Sequence, residues 1–83
     1  MPRYLFHLRD GLEISFDREG RELSDLEAAR VKAIESARHT MAKAILSGER
    51  LGMARVFQVE NETGQTVALV PFRRALVLDR TNE

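Results

Sequence analysis

Two imidazoles, one cluster of carboxylates and a scatter of arginines are the groups in this 83-residue chain with the means to do chemistry. A histidine working as acid or base near neutral pH needs a second group to orient it. His39 has Glu35 one helical turn before it, a spacing that makes an exposed ion pair of about 0.3 kcal/mol and explains the residue without catalysis. His7 is different. It alternates with Leu5 and Arg9, so Leu5, His7 and Arg9 share one side of a strand. The expectation is a surface or interface histidine, with a pH-sensitive contact as its functional alternative. Asp17, Glu19 and Glu22 gather carboxylates in a turn, but a calcium loop needs more ligands in a longer, ordered spacing. Neither H-x-x-x-H nor D-x-D-x-D-G occurs, no serine sits in a G-x-S-x-G elbow, and the glycines are scattered singly, so no phosphate loop is present. The chain is therefore read as not an enzyme, with no cofactor and no metal.

The arginines carry the remaining possibilities. Arg30 falls in the middle of an apolar helix stripe, where it must run its methylenes to the edge of the sheet or pair with a carboxylate such as Glu13 or Asp17; an anion-binding guanidinium is the functional alternative. Arg55, Arg73, Arg74 and Arg80, with Tyr4 or Phe57 as stacking groups, would have to support any nucleic-acid role. Glu60, Glu62, Asp79 and Glu83 are interleaved with them, and thirteen basic residues balance thirteen acidic ones. A zero net charge removes the usual electrostatic reason to expect broad nucleic-acid binding.

These residues need a scaffold. From Arg3 the chain alternates, with Tyr4, Phe6 and Leu8 on one side, and Asp10-Gly11 then signals a two-residue hairpin. The returning strand presents Leu12, Ile14 and Phe16 to one face and Glu13, Ser15 and Asp17 to the other. The polar run Asp17 to Glu22 reads as a turn. Ser24 then starts a helix as N-cap with Glu27 completing a capping box, Asp25 favouring the dipole and Leu23 placed to staple against Ala28. Over Asp25 to about Leu46, Leu26, Ala29, Ala33, Ile34, Ala37, Met41, Ala44 and Ile45 form one stripe, and Gly48 ends the helix. Two strands follow, about Ala54 to Glu60 and Thr66 to Pro71, joined by the loop Asn61-Glu62-Thr63-Gly64. Phe72 to Ala75 forms a single helical turn, Leu76-Val77-Leu78 is a last apolar triplet, and Asp79 to Glu83 is expected to fray.

The fold class is thus α+β, a ββαββ chain with one long helix on a mostly antiparallel four-stranded sheet, occupying residues 1–83 as one domain. A single helix covers one sheet face only, and the other face is left for solvent or a partner. At this size a core is barely sufficient, and without cysteine neither a disulfide nor a thiolate zinc site can reinforce it. Self-association as a homodimer is the expected remedy. An unidentified protein partner is the next possibility, ahead of nucleic acid. No apolar run approaches the length of a membrane span and no signal-peptide core opens the chain, so a cytoplasmic location is expected, away from membranes.

MPRYLFHLRDG at the start, D-x-E-G-x-E-L-S-D-L-E-A-A-R into the helix and V-P-F near the end together resemble a small bacterial family of rhizobia and their relatives, known only as a domain of unknown function. The likeness runs from Met1 to about Leu78; members usually carry an aromatic where this chain has Leu5. It implies a stand-alone bacterial protein and adds no chemistry. A looser similarity links the order hairpin, polar turn, Ala/Glu-rich helix to antitoxins of the HicB type. Their acidic stretch and appended DNA-binding segment are missing here. The functional expectation is a non-enzymatic interaction or regulatory module acting as a homodimer, with an antitoxin-like or nucleic-acid-binding regulator using Arg55, Arg73 and Arg74 as the alternative.

Overall fold

A computed structural model describes residues 1–76. In chain order it contains β1 (Arg3–Asp10), β2 (Glu13–Ser15), β3 (Arg21–Glu22), α1 (Leu26–Ser47), β4 (Val56–Glu60), β5 (Thr66–Pro71) and a 3-10 turn, Phe72–Leu76. Every strand pairing is antiparallel. The sheet runs β2-β1-β4-β5, and β3 shares with β2 the outer side of β1, so among the described residues the sheet has five strands rather than four.

The fifth strand lies in the run read as a turn. Arg21 and Glu22 pair with Tyr4 and Arg3, and Leu23 N–H donates to the Pro2 carbonyl at 3.0 Å. Two residues are too few to leave a period in the sequence, which is why alternation could not reveal them. The first hairpin is also shifted by one residue. Asp10 pairs with Glu13, so the loop is Gly11-Leu12 and Asp10 belongs to the strand. Leu12 consequently stands free of either face.

Tyr4, Phe6 and Leu8 of β1, Phe57 and Val59 of β4, and Ala68 and Val70 of β5 meet the helix. Ala29, Ala33, Ala37, Met41 and Ala44 form its buried stripe. With only methyl groups along most of that stripe, the helix backbone comes close to the sheet, and the large rings come from the other side. Phe72 is fully buried, 5.2 Å from the Phe57 ring, which meets Phe6 edge-on at 6.5 Å. Ile34 and Phe57 join the two halves of this core. Ile45, placed in the stripe from the sequence, is instead 65% exposed: the helix packs on the 3-10 turn through Ala37 and Met41, and Ile45 lies beyond both core clusters. The 3-10 turn starts at Phe72 as expected. It is tied to the helix by Arg38 Nε, which donates to the Ala75 carbonyl at 2.8 Å.

The helix start is one residue later than the capping-box reading. Asp25 is the N-cap, its side chain accepting the Ala28 N–H at 2.9 Å, and Ser24 stays outside. Both residues are good caps, and the sequence alone cannot rank them. Gly48 closes the helix with φ 72°, donating to Ala44 and Ile45 carbonyls. The expected Asn61–Gly64 loop is present, with Asn61 Oδ1 accepting from the Thr63 and Gln65 main chain. The triplet Leu76-Val77-Leu78 beyond its first residue, the Asp79 to Glu83 tail and Arg80 lie outside the described residues.

Candidate functional site

The face of the sheet turned away from the helix is built by strand alternation and register. His7 pairs with Gln58, Leu5 with Glu60 and Arg9 with Val56 on one side and Ile14 on the other. Gln58 in turn pairs with Leu69 of β5. Leu5, His7 and Arg9 therefore do share this open face, as their spacing implied.

His7 corrects the expectation of a surface histidine, since it is only 4% exposed. The cover comes from the chain itself. After β2 the backbone leaves the ladder, and Phe16 lays its ring edge-on against the imidazole, centroids 5.3 Å apart. The next residue, Asp17, donates its N–H to His7 Nδ1 at 3.0 Å, while His7 Nε2 sits 3.1 Å from Glu60 Oε1. A ring nitrogen that accepts a main-chain N–H carries no hydrogen, so the hydrogen lies on Nε2 and points at the Glu60 carboxylate. Both nitrogens are engaged. Neither has a lone pair free to take a proton from a substrate.

Asp17 does the work of a missing piece of strand. Its Oδ2 accepts the Phe6 N–H at 3.0 Å, and its Oδ1 accepts Gly20 N–H at 3.1 Å and Glu19 N–H at 3.2 Å. Burial pushes its carboxyl up, but the Phe6, Gly20 and Glu19 donors outweigh that and hold it below its ordinary 3.8. Gly20 completes the excursion with φ 72°; a Cβ there would stand 2.8 Å from both the Tyr4 carbonyl and Leu5 Cδ2. Aspartate three residues before glycine in a polar run is the signature of a side-chain-closed turn. That signal was available for Asp17; nothing local announced Gln58 or Glu60 as partners, because only the β1–β4 register brings them to His7.

From Glu60 the polar strip continues across β4. Gln58 Nε2 donates to Glu60 Oε2 at 3.4 Å and to Thr66 Oγ1 at 2.9 Å, and Arg9 Nε donates to Gln58 Oε1. At the two ends of this strip stand exposed apolar side chains, Phe16 at 62% and Leu69 at 61% exposure. Among the described residues no three His, Asp or Glu groups gather to hold a metal ion.

The described arginines do not form one patch. Arg30 is exposed at the flank of the helix, not buried against Glu13 or Asp17, and lines a groove between α1 and β5 with Arg74. Arg73 is exposed on the 3-10 turn. Arg55 is turned inward, its guanidinium 5.2 Å from the centre of the Phe72 ring, in a space that exists because residue 52 is glycine; a Cβ there would overlap the guanidinium. His39 is exposed and makes no ion pair with Glu35.

These features define a class: an antiparallel α+β domain with one helix-covered face and one open face laced by side-chain hydrogen bonds. The chain belongs to the family described as a domain of unknown function, DUF6894, whose model matches residues 3–73. No curated protein and no solved structure gives a significant match. No helix among the described residues is long and apolar enough to cross a membrane.

Proposed function

We propose that this domain is a non-enzymatic protein-interaction or regulatory module of the bacterial cytoplasm that pairs with a second copy of itself through the open sheet face. The observation that carries the reading is the composition of that face. Exposed Phe16 and Leu69 flank a strip that holds both signs of charge, Arg9 and Glu60, in fixed positions. A surface with both signs and apolar ends is self-complementary under a two-fold axis, where each patch meets its own copy. The locked His7 supports the non-enzymatic part, since the imidazole nearest to this surface has both nitrogens occupied. The nucleic-acid alternative is weakened by the inward turn of Arg55, whose guanidinium lies over the buried Phe72 ring and not on the surface with Arg73 and Arg74.

Sedimentation equilibrium tests the proposal. The chain is expected at twice its 9.5 kDa mass, and Arg9→Glu, at an exposed position, should return it to a monomer that keeps its far-ultraviolet circular dichroism spectrum. A wild-type monomer of 9.5 kDa at high micromolar concentration overturns it.

A further inference from the structure

We propose that the free edge of β5, together with the groove beside it, binds an extended peptide strand carrying acidic side chains on alternate residues. This rests on reading the domain as a protein-interaction module and gives one class of partner a chemistry. β5 ends the strand order, and among the described residues nothing pairs with its outer side. Alternate residues of such a strand turn N–H and C=O groups outward, a template for one more strand. The usual protections of an edge are confined here to its ends: the register shift opposite Val59 and Glu60, and Pro71, which has no N–H to give. Ala68 to Val70 lies between the bulged Val67 and Pro71, long enough to pair with about three residues.

The groove sets the chemistry of the incoming strand. It is lined by Ile34 and Arg30 of the helix, by Ala68, Leu69 and Val70, and by Arg74. Among the described residues no carboxylate lines it. Arg30 and Arg74 are both exposed, and neither makes a hydrogen bond or ion pair with any described residue. On an added strand every second side chain would point to the helix side and meet these guanidinium groups, while the others would continue the open face beside Leu69. Glutamate or aspartate on the first set satisfies both arginines.

A second copy fits this edge poorly. Two β5 edges joined across a two-fold axis would place both helices on the same side of one continuous sheet, and their grooves, with two Arg30–Arg74 pairs, would face each other across the seam. Like charges so placed oppose pairing. Nucleic acid also fits less well. Among the described residues the groove holds aliphatic side chains and an unpaired main-chain edge, and no aromatic ring lines it for bases to stack on.

Fluorescence anisotropy with the full chain and three acetylated hexapeptides tests the inference: Thr-Glu-Val-Glu-Thr-Glu, the same peptide with lysine for glutamate, and the same acidic peptide with proline for valine. The acidic peptide is expected to bind, with affinity falling about tenfold between ~50 and ~300 mM salt. The lysine and proline peptides are expected to bind at least about tenfold more weakly, through charge and through the lost ladder donor respectively. Arg30→Glu with Arg74→Glu should reverse the preference toward the lysine peptide. Equal binding of acidic and basic peptides, no binding of the acidic one, or displacement of it by an oligonucleotide at lower concentration overturns the inference. Light scattering on the same samples separates it from self-association: a dimer that ignores the acidic peptide refutes only the edge, and a monomer that binds it refutes only the dimer.

Discussion

Removing the Asp17 carboxylate should destabilise the domain in a way that depends on pH with a known sign. Asp17→Ala strands three main-chain donors, the N–H groups of Phe6, Gly20 and Glu19. Glu19 is exposed and water replaces its acceptor, but Phe6 and Gly20 are half-buried. A fully buried orphan donor costs about 1–3 kcal/mol, so two partly shielded ones come to about 2–3 kcal/mol. A chain of this length has a total stability of only about 4–12 kcal/mol, and the loss corresponds to a fall in melting temperature of roughly 10–20 °C. Asp17→Asn keeps one carbonyl oxygen, which can serve either Phe6 or the Gly20–Glu19 pair, and should lose about 1–2 kcal/mol. The Asp17 pKa is lower in the folded chain than in the unfolded one. Its stabilising contribution is therefore fully present above the unfolded value of about 3.9 and is lost as pH falls through the folded value. Urea denaturation followed by far-ultraviolet circular dichroism should show wild type and Asp17→Asn well separated at about pH 6 and converging below about pH 4. Equal stability at the higher pH, or a gap that does not change with pH, would refute the assignment of Asp17 as acceptor for these donors.

Two further outcomes follow from the same structure. Asp25→Ala should cost about 1 kcal/mol while Ser24→Ala changes stability little, as read by paired denaturation curves, and the reverse order would move the N-cap back to Ser24. Phe72→Ala removes a fully buried ring that touches Phe57 and underlies the Arg55 guanidinium, and should cost about 3–5 kcal/mol, enough to leave the chain partly unfolded at 37 °C by circular dichroism.

How far the sequence could be read depended on whether an element announced itself locally. The helix did, through its alanine spacing and Gly48, and so did the alternation of β1 and the Asn61 to Gly64 loop. Asp25 and Ser24 are adjacent residues of equal capping ability, so the start could be placed only to within one residue. The hairpin after β1 slipped by one for a similar reason, because Asp10-Gly11 and Gly11-Leu12 both contain the glycine whose positive φ the turn requires. The face shared by Leu5, His7 and Arg9 was legible from period two alone. The burial of His7 was not, since it depends on Phe16 and Asp17 folding back over the sheet and on a β1–β4 register that joins residues more than fifty positions apart. Arg30 was misplaced because it adjoins Ala29 in the stripe, while a turn of about 100° carries it to the flank above β5.

The two open surfaces differ in the one property that decides what can cover them. On the sheet face, Arg9 and Glu60 hold opposite charges on either side of Gln58, which bonds to both, so a copy turned through a half-rotation meets charges it can answer. At the β5 edge Arg30 and Arg74 are the charged groups among the described residues that line the groove, and a copy brings the same sign. Self-pairing is therefore favoured on the face and opposed at the edge, and a foreign acidic strand has the converse preference. A homodimer formed through the face would leave both β5 edges open, with Leu69 the residue that belongs to the face and also lines the groove. Leu69→Ser accordingly bears on both interactions, and Arg9→Glu and Arg74→Glu each bear on one.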